Sequence, residues 1–193
     1  MKFTYVTGNY GKYLSVKRRF SNFGLDVDWA KIDTIEPEVD DVAVVSKEKA
    51  RQAYEILQKP CFVMDSGFYI EAYPGKPGYP GAMVKRSGVA ENVEELLKVM
   101  EGVENRRCKF VDCLTFYDGK NFSQFFHESP GVLADEVRGS LRETAQSRLW
   151  LVFILDGFDI TIAQMSEEER LSMDDKRRSA VEKFTEWYKE EYL

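Results

Sequence analysis

Hydrophobic residues in the first third of the chain alternate between short continuous runs and helical spacing. The run from Phe3 to Val6 is typical of a buried strand, and apolar positions between Asn9 and Phe23 recur at helical spacing. The same succession follows, with a strand predicted over Asp26 to Ile32 and a helix over Asp41 to Gln58. This alternation of strands and helices predicts an α/β fold.

The pattern changes after residue 60. Cys61 to Met64 predicts a strand that ends at the turn Asp65-Ser66-Gly67, and Phe68 to Ala72 predicts another strand. The further predicted elements are a helix over Glu91–Glu101, a hairpin of Lys109–Tyr117 and Asn121–Glu128 around Asp118-Gly119, a strand over Trp150–Leu155 and a final helix over Lys176–Tyr192. Because a hairpin interrupts the alternation, we expect a mixed sheet with helices on its faces.

Length and charge limit the number of domains and the kinds of ligand that the protein can bind. The 193 residues suit one domain, of one or two lobes. A net charge of −6 argues against a surface that binds duplex nucleic acid. A small phosphorylated ligand is compatible with this charge, because such a ligand needs only a local cationic pocket.

Cysteine usage and the start of the chain bear on its compartment. Cys61, Cys108 and Cys113 are odd in number and lack metal-binding spacing, so we expect reduced thiols in a cytoplasmic protein. Because a strand is predicted from the first residues, we expect no signal peptide, and no apolar run reaches membrane-spanning length.

The first candidate site is the turn Thr7-Gly8-Asn9, between the first strand and the first helix. Gly8 is expected to take backbone angles that other residues resist, and Thr7 or Asn9 is expected to cap the helix. Helix N–H groups and the positive end of the helix dipole point toward such a turn, which suits an anion. Lys12 adds a full charge nearby. The alternative interpretation is an ordinary strand-to-helix turn beside a solvated lysine.

Two acidic segments are candidates for binding a divalent metal. Asp65 follows a buried strand, where α/β proteins place their ligands, and a carboxylate there can bind a metal or orient a water. Glu38, Asp40 and Asp41 lie together before the second helix, and one of them is the candidate partner of Asp65. Mg²⁺ needs only one or two carboxylates plus phosphate oxygens. The alternatives are a turn-forming aspartate and solvated acids that stabilise the helix dipole.

Several short segments together resemble the inosine triphosphate pyrophosphatases, a family that removes deaminated purine nucleotides such as ITP, dITP and XTP. The segments that carry this resemblance are Thr7-Gly8-Asn9-x-x-Lys12, Pro37-Glu38, Leu57 to Phe68, the loop Pro74 to Gly78, and Ala163 to Arg170. They span nearly the whole chain in the family's order. The resemblance implies an elongated α/β fold with a curved, mixed central β-sheet flanked by helices. It also implies one domain over residues 1–193, with a nucleotide cleft between two lobes.

The resemblance also assigns roles to individual residues. Glu38 and Asp65 are the implied ligands of Mg²⁺. Asp65 and Lys12 are the implied catalytic residues: Asp65 activates a water for attack on the α-phosphorus, and Lys12 neutralises charge on the departing pyrophosphate. The resemblance implies that Thr7, Asn9 and Lys12 hold the triphosphate. The full set of predicted substrate-binding residues is Thr7, Gly8, Asn9, Lys12, Ser66, Gly67, Trp150, Arg170 and Lys176, and the alternative for Trp150 is a place in the core or on the surface. The expected products are a nucleoside monophosphate and pyrophosphate, and the expected assembly is a homodimer that binds neither nucleic acid nor membrane.

Three segments depart from the family's pattern. Met64 stands where the family usually has the first of two acids, Gln146 to Leu151 replaces an aromatic, glycine-rich segment, and Asp174-Asp175-Lys176 replaces a Ser-His-Arg motif. The last two segments contact the purine in the family, so we expect an altered base preference, with Trp150 as a candidate stacking face. The alternatives are a protein that binds nucleotides without hydrolysing them, and an enzyme for a different phosphoanhydride, such as a modified pyrimidine nucleotide.

Overall fold

The structure of the chain, a computed structural model, describes residues 2–175 and 178–192. Its strands are β1 (Lys2–Val6), β2 (Asp26–Ala30), β3 (Cys61–Ile70), β4 (Pro80–Gly81), β5 (Arg107–Tyr117), β6 (Phe122–Leu133) and β7 (Phe153–Leu155). Its helices are α1 (Tyr10–Ser21), α2 (Val42–Leu57), α3 (Val93–Val99), α4 (Glu167–Asp175) and α5 (Ala180–Tyr192), with a 3₁₀ helix over Arg148–Leu151.

The strands form one mixed sheet in the order β2-β1-β3-β5-β6-β7, with β4 paired to β3. β1 runs parallel to both β2 and β3, as expected for strands that are connected through the helices α1 and α2. Antiparallel pairs join β3 to β4 and β6 to β7. The prediction of an α/β fold with a mixed sheet flanked by helices is confirmed.

Contacts divide the described chain into two compact units. The first unit contains the described residues of Met1–Ser66, Asp112–His127 and Arg178–Leu193. The second unit contains Gly67–Val111 and the described residues of Glu128–Arg177. Over the residues that the structure describes, no helix combines the length and the apolar character that crossing a membrane requires.

In the first unit, side chains alternate between the two faces of β1, β3 and β5. The face that contacts α1 and α5, here called the α1 face, buries Phe3, Tyr5, Phe62, Leu114, Phe116 and Phe184. The face that contacts α2, here called the α2 face, buries Val6, Ala50, Ala53, Cys61 and Val63. Because neighbouring residues of a strand project to opposite faces, this alternation determines where a polar residue further along the same strand will project.

The second unit has a core of its own. Phe68 lies within it, with ring centroids 4.7 Å from Phe110 and 5.9 Å from Phe153. Residues of α3, β7 and α4 complete this core, among them Val93, Leu96, Leu155 and Met173.

Helices begin at the capping residues that the sequence indicates. Asn9 Oδ1 accepts a hydrogen bond from Lys12 N at 2.9 Å at the start of α1. Asp41 caps α2 in the same way. Ser166 and Glu169 exchange hydrogen bonds at the start of α4, which is a capping box.

The predicted turn at Asp65-Ser66-Gly67 was wrong. β3 continues without interruption from Cys61 to Ile70, so these three residues lie inside a strand. Gly67 permits close packing there, because a Cβ at this position would lie 2.7 Å from Tyr69 Cε2 and 3.1 Å from the backbone oxygen of Gly81. The role of Gly67 in the structure is therefore one of packing.

Two predictions near the C-terminal end also differ from the structure. Trp150 lies in the 3₁₀ helix, which Ser147 caps through a 3.2 Å hydrogen bond from Leu149 N, and β7 begins only at Phe153. The predicted start of the last helix, at Lys176, lies outside the described residues.

Candidate active site

The turn between β1 and α1 is ordered by its own side chains. Thr7 Oγ1 accepts a hydrogen bond from Asn9 N at 3.1 Å, and Asn9 Oδ1 accepts one from Lys12 N. Trp29 of β2 holds the turn in place, since its indole N–H donates to the backbone oxygen of Thr7 at 2.7 Å. Asn9 is therefore the cap of α1, and Thr7 and Asn9 lie at the positive end of this helix.

Gly8 does not have the unusual backbone that the sequence led us to expect. Its φ lies outside the left-handed region, so that prediction was wrong. A Cβ built at Gly8 would have no atom within 4 Å, and the residue is exposed. The open space beside Gly8 leaves room for a ligand to approach the backbone closely.

On the α1 face, Lys12, Ser66 and Asp112 form a chain of hydrogen bonds that we call the α1 cluster. Lys12 Nζ donates to Ser66 Oγ at 3.0 Å, and Ser66 Oγ donates to Asp112 Oδ1 at 2.6 Å. Strand alternation accounts for the meeting: Ser66 shares its face of β3 with Phe62, and Asp112 shares its face of β5 with Leu114. The structure thus joins two predicted residues, Lys12 and Ser66, to an aspartate that sequence reasoning missed.

Tyr5 lies on the same face, with its ring stacked on Phe62 at a centroid distance of 4.8 Å. Its hydroxyl is fully buried and, in the described part of the chain, is the one buried side-chain polar atom that lacks a hydrogen bond. Burial raises the pKa of Tyr5 far above its ordinary value, and the charges of Asp112 and Asp65 add to this effect, while the nearby side chain of Thr7 opposes it. The hydroxyl therefore keeps its proton at neutral pH.

On the α2 face, Glu36, Lys49 and Asp65 form a second group that we call the α2 cluster. Lys49 Nζ donates to Glu36 Oε1 at 2.9 Å and to Asp65 Oδ1 at 3.0 Å. The side chains are 22%, 18% and 13% exposed, in chain order. Burial lowers the pKa of Lys49, but Asp65 and Glu36 outweigh this effect and hold the pKa above its ordinary value. Lys49 is therefore a cation held between two carboxylates.

Sequence reasoning missed Glu36 and Lys49. The available signal was a cation within the buried stripe of α2, whose other members are Val42, Val45, Ser46, Ala50 and Ala53. Glu36 lies two residues before Glu38 in the same acidic segment, and the segment's composition does not distinguish them. Glu38 is exposed, and its predicted role as a metal ligand stays a prediction.

The cysteines and acids limit the chemistry of the described residues. Burial raises the pKa of Cys61 to about 12 and also raises the pKa of Cys108 and Cys113, so these unpaired thiols are poor nucleophiles at neutral pH. Within residues 2–175 and 178–192, no three or more His, Cys, Asp and Glu side chains are grouped to hold a metal. The α2 cluster offers a pair of carboxylates instead.

The other predicted site residues lie in the second unit or beyond the described chain. The guanidinium of Arg170 lies over the ring of Trp150, 6.0 Å from its centroid, which is a cation–π contact. Both residues are half-buried, and the structure brings them together. Lys176, also predicted to bind substrate, lies outside the described residues.

Curated relatives match the chain over almost its full length. A dITP/XTP pyrophosphatase of Methanopyrus kandleri is 34% identical over 190 residues, which are 98% of this chain and 97% of the relative. A dITP/XTP pyrophosphatase of Saccharolobus solfataricus is 31% identical over 187 residues, which are 97% of this chain and 93% of the relative. These matches confirm the resemblance that the short motifs indicated.

Solved structures share the fold. The Ham1 protein of Staphylococcus aureus matches with a TM-score of 0.78 and 21% identity, over 99% of this chain and 100% of its own. A HAM1 protein from Coxiella burnetii matches with a TM-score of 0.80 and 18% identity, over 98% and 99%. The model of the Ham1 family matches residues 3–187. The chain therefore belongs to the Ham1 family.

Proposed function

We propose that this chain is a nucleoside triphosphate pyrophosphatase, which hydrolyses its substrate to a nucleoside monophosphate and pyrophosphate. Relatives of the chain are named dITP/XTP pyrophosphatases, so dITP and XTP are the first substrates to test. The observation that carries the proposal is the α2 cluster, in which Asp65 and Glu36 already hold one cation beside Ser66, the next residue of β3. The α1 cluster supplies a second cation, Lys12, on the other face.

The turn after β1 supports the binding of phosphate groups. Lys12 Nζ uses one of its three N–H groups for Ser66, which leaves two for phosphate oxygens. Thr7 and Asn9 place polar side chains at the positive end of α1, where an anion is stabilised. The open space beside Gly8 allows the phosphates to approach these groups.

The donor set of the α2 cluster fits Mg²⁺. Mg²⁺ prefers oxygen ligands and is commonly bound by one or two carboxylates together with substrate phosphates and waters. Glu36 and Asp65 supply two such carboxylates, and Lys49 occupies the position between them. In this proposal Asp65 and Glu36 hold the ion, with Glu38 as the alternative to Glu36. Bound Mg²⁺ neutralises charge on the phosphate oxygens.

Asp65 has a second role in the proposed reaction. A water attacks the α-phosphorus and loses a proton, while the bond from that phosphorus to the pyrophosphate oxygen breaks. Asp65 takes this proton: its Oδ1 accepts from Lys49, and no described residue hydrogen-bonds to its Oδ2. Lys12 neutralises the charge that develops on the departing pyrophosphate.

The proposal includes a base preference that differs from the family's usual one. The contact of Arg170 with Trp150 supports it, since a stacked cation and indole present a surface that suits a base. The replaced segments at Gln146 to Leu151 and Asp174 to Lys176 support it as well. We further propose a cytoplasmic homodimer, which sedimentation of the purified chain would test.

A panel of nucleotides tests the proposed function. The chain is incubated with the eight standard NTPs and dNTPs, ITP, dITP and XTP in the presence of Mg²⁺, and pyrophosphate release is measured. We expect release from at least one member, with the monophosphate as the other product. Binding of a nucleotide by calorimetry without release from any member would favour the non-catalytic alternative.

A further inference from the structure

The hydrogen bonds of the α1 cluster have a direction that follows from the chemistry of its members. The Lys12 ammonium has only donors, and an ionised Asp112 has only acceptors. Ser66 Oγ therefore accepts from Lys12 at 3.0 Å and gives its one proton to Asp112 at 2.6 Å. In this arrangement Ser66 has no proton left for a phosphate oxygen.

The position of Asp112 in β5 does not by itself explain why its side chain binds Ser66. Among the described residues, the Asp112 side chain has Ser66 as its hydrogen-bond partner and forms no direct ion pair. It is half-buried on the same face as the buried hydroxyl of Tyr5. A partly buried carboxylate destabilises the fold unless hydrogen bonds or an ion pair compensate it, and Ser66 supplies the one hydrogen bond to Asp112 from the described residues.

We propose that Asp112 is a positioning residue for phosphate binding: it orients Ser66 Oγ as an acceptor, and Ser66 then anchors the ammonium of Lys12. One N–H of Lys12 is thereby fixed, so the two remaining donors keep a defined direction toward the phosphates. Ser66 acts through Lys12 and does not contact the phosphate. This inference rests on the proposed function in one respect, namely that Lys12 binds the phosphate groups.

The experiment compares variants that remove different members of the α1 cluster. Ser66→Ala removes the link, Asp112→Leu removes both the acceptor and the charge, and Asp112→Asn keeps an acceptor oxygen and the size of the side chain but removes the charge. Ser66→Ala is also made in a Lys12→Met background. Asp26→Asn, at an exposed position of β2, is the matched control for a change of charge.

Two measurements are made on each variant: affinity for inorganic tripolyphosphate by calorimetry, and kcat and KM with the best nucleotide of the panel. We expect Ser66→Ala and Asp112→Leu each to weaken tripolyphosphate binding about tenfold or more, since each removes a hydrogen bond that involves a charged group. Asp112→Asn is expected to lose about threefold. KM should rise by similar factors while kcat changes less. In the Lys12→Met background, Ser66→Ala should cause no further loss.

Three results would overturn the inference. The first is that Asp112→Leu binds tripolyphosphate as tightly as the unmodified chain does. The second is a further loss from Ser66→Ala in the Lys12→Met background, because Ser66 would then contact the phosphate itself. The third is a loss of tripolyphosphate affinity in Asp112→Asn as large as that in Asp112→Leu, because the charge of Asp112, and not its hydrogen bond to Ser66, would then account for the loss. If Asp112→Leu does not fold, Ser66→Ala in the two backgrounds decides. Failure of the proposed function appears separately, as tripolyphosphate binding without pyrophosphate release.

Discussion

Two clusters of charged side chains lie on opposite faces of the sheet in the first unit, at the neighbouring residues Asp65 and Ser66 of β3, and each contains one lysine. In the α1 cluster, Lys12 donates to the neutral hydroxyl of Ser66. In the α2 cluster, Lys49 donates to two carboxylates, those of Glu36 and Asp65. The ammonium group of a lysine thus has one neutral acceptor on the α1 face and two charged acceptors on the α2 face.

This difference shows that a site's preference for cations or anions depends on what its lysine is paired with. A lysine that donates to a hydroxyl keeps two N–H donors for an anion. Its positive charge also remains available, because the hydroxyl is neutral. A lysine between two carboxylates belongs to a group whose formal charges sum to about −1 at neutral pH, so this group attracts a further cation. The proposed substrate, a triphosphate with its Mg²⁺, carries both kinds of partner.

The strongest test of the α2 cluster is Asp65→Asn. We expect kcat for pyrophosphate release to fall about 1,000-fold, because the variant loses the base that takes the water's proton. Asn keeps an acceptor for Lys49, and Glu36 still pairs with it, so the free energy of unfolding should fall by no more than about 2 kcal/mol. Denaturant unfolding checks the second value. Retained turnover in Asp65→Asn would remove Asp65 from the reaction.

The corresponding test of the α1 cluster is Lys12→Met. We expect kcat/KM to fall about 100-fold, since hydrogen bonds and charge on the phosphates are lost together. Lys17→Met is the matched control, because Lys17 lies on the same helix, is exposed and stacks over Tyr13 at 5.8 Å. This control should stay within about twofold of the unmodified chain. Equal losses in both variants would mean that the net charge of α1 acts, and not the position of Lys12.

A smaller effect distinguishes the carboxylate that the structure selects from the one that the sequence suggested. We expect Glu36→Gln to raise the Mg²⁺ concentration for half-maximal activity about tenfold, because one oxygen ligand loses its charge. Glu38→Gln, two residues away and exposed, should leave this concentration unchanged. Titration of activity with Mg²⁺ measures both. The reverse result would make Glu38 the ligand and leave Glu36 as a partner of Lys49 only.

Local signals predicted much of the fold. The cap at Asn9 and the helical spacing of α1 depend on residues close in sequence, and the structure confirms them. Asp65-Ser66-Gly67 has turn-forming composition, but strand pairing and the close approach of Gly81 override it. Local propensity therefore fails where a distant strand determines the backbone.

The residues of the candidate site also fall into those that local sequence indicates and those that only contacts between distant segments reveal. Lys12 and Asp65 stand in recognisable local motifs, so the sequence indicates them without a structure. Asp112, Glu36 and Lys49 become site residues only through the register of β3 with β5 and the packing of α2, which are contacts between segments far apart in the chain. Strand alternation explains these meetings once the neighbours are known, but the sequence alone does not say which strands are neighbours.

The smallest expected effect concerns Tyr5, the buried hydroxyl beside the α1 cluster. Tyr5→Phe removes a polar group that lacks a hydrogen bond and keeps the ring that stacks on Phe62. We expect the free energy of unfolding to rise by about 1 kcal/mol, because an unsatisfied buried hydroxyl destabilises the folded state. Tyr10→Phe is the control, since Tyr10 is 54% exposed. Urea unfolding of the ligand-free chain measures both. A loss of stability in Tyr5→Phe would mean that the hydroxyl has a partner in solution, and Thr7, whose side chain lowers the pKa of Tyr5, would be the first group to test.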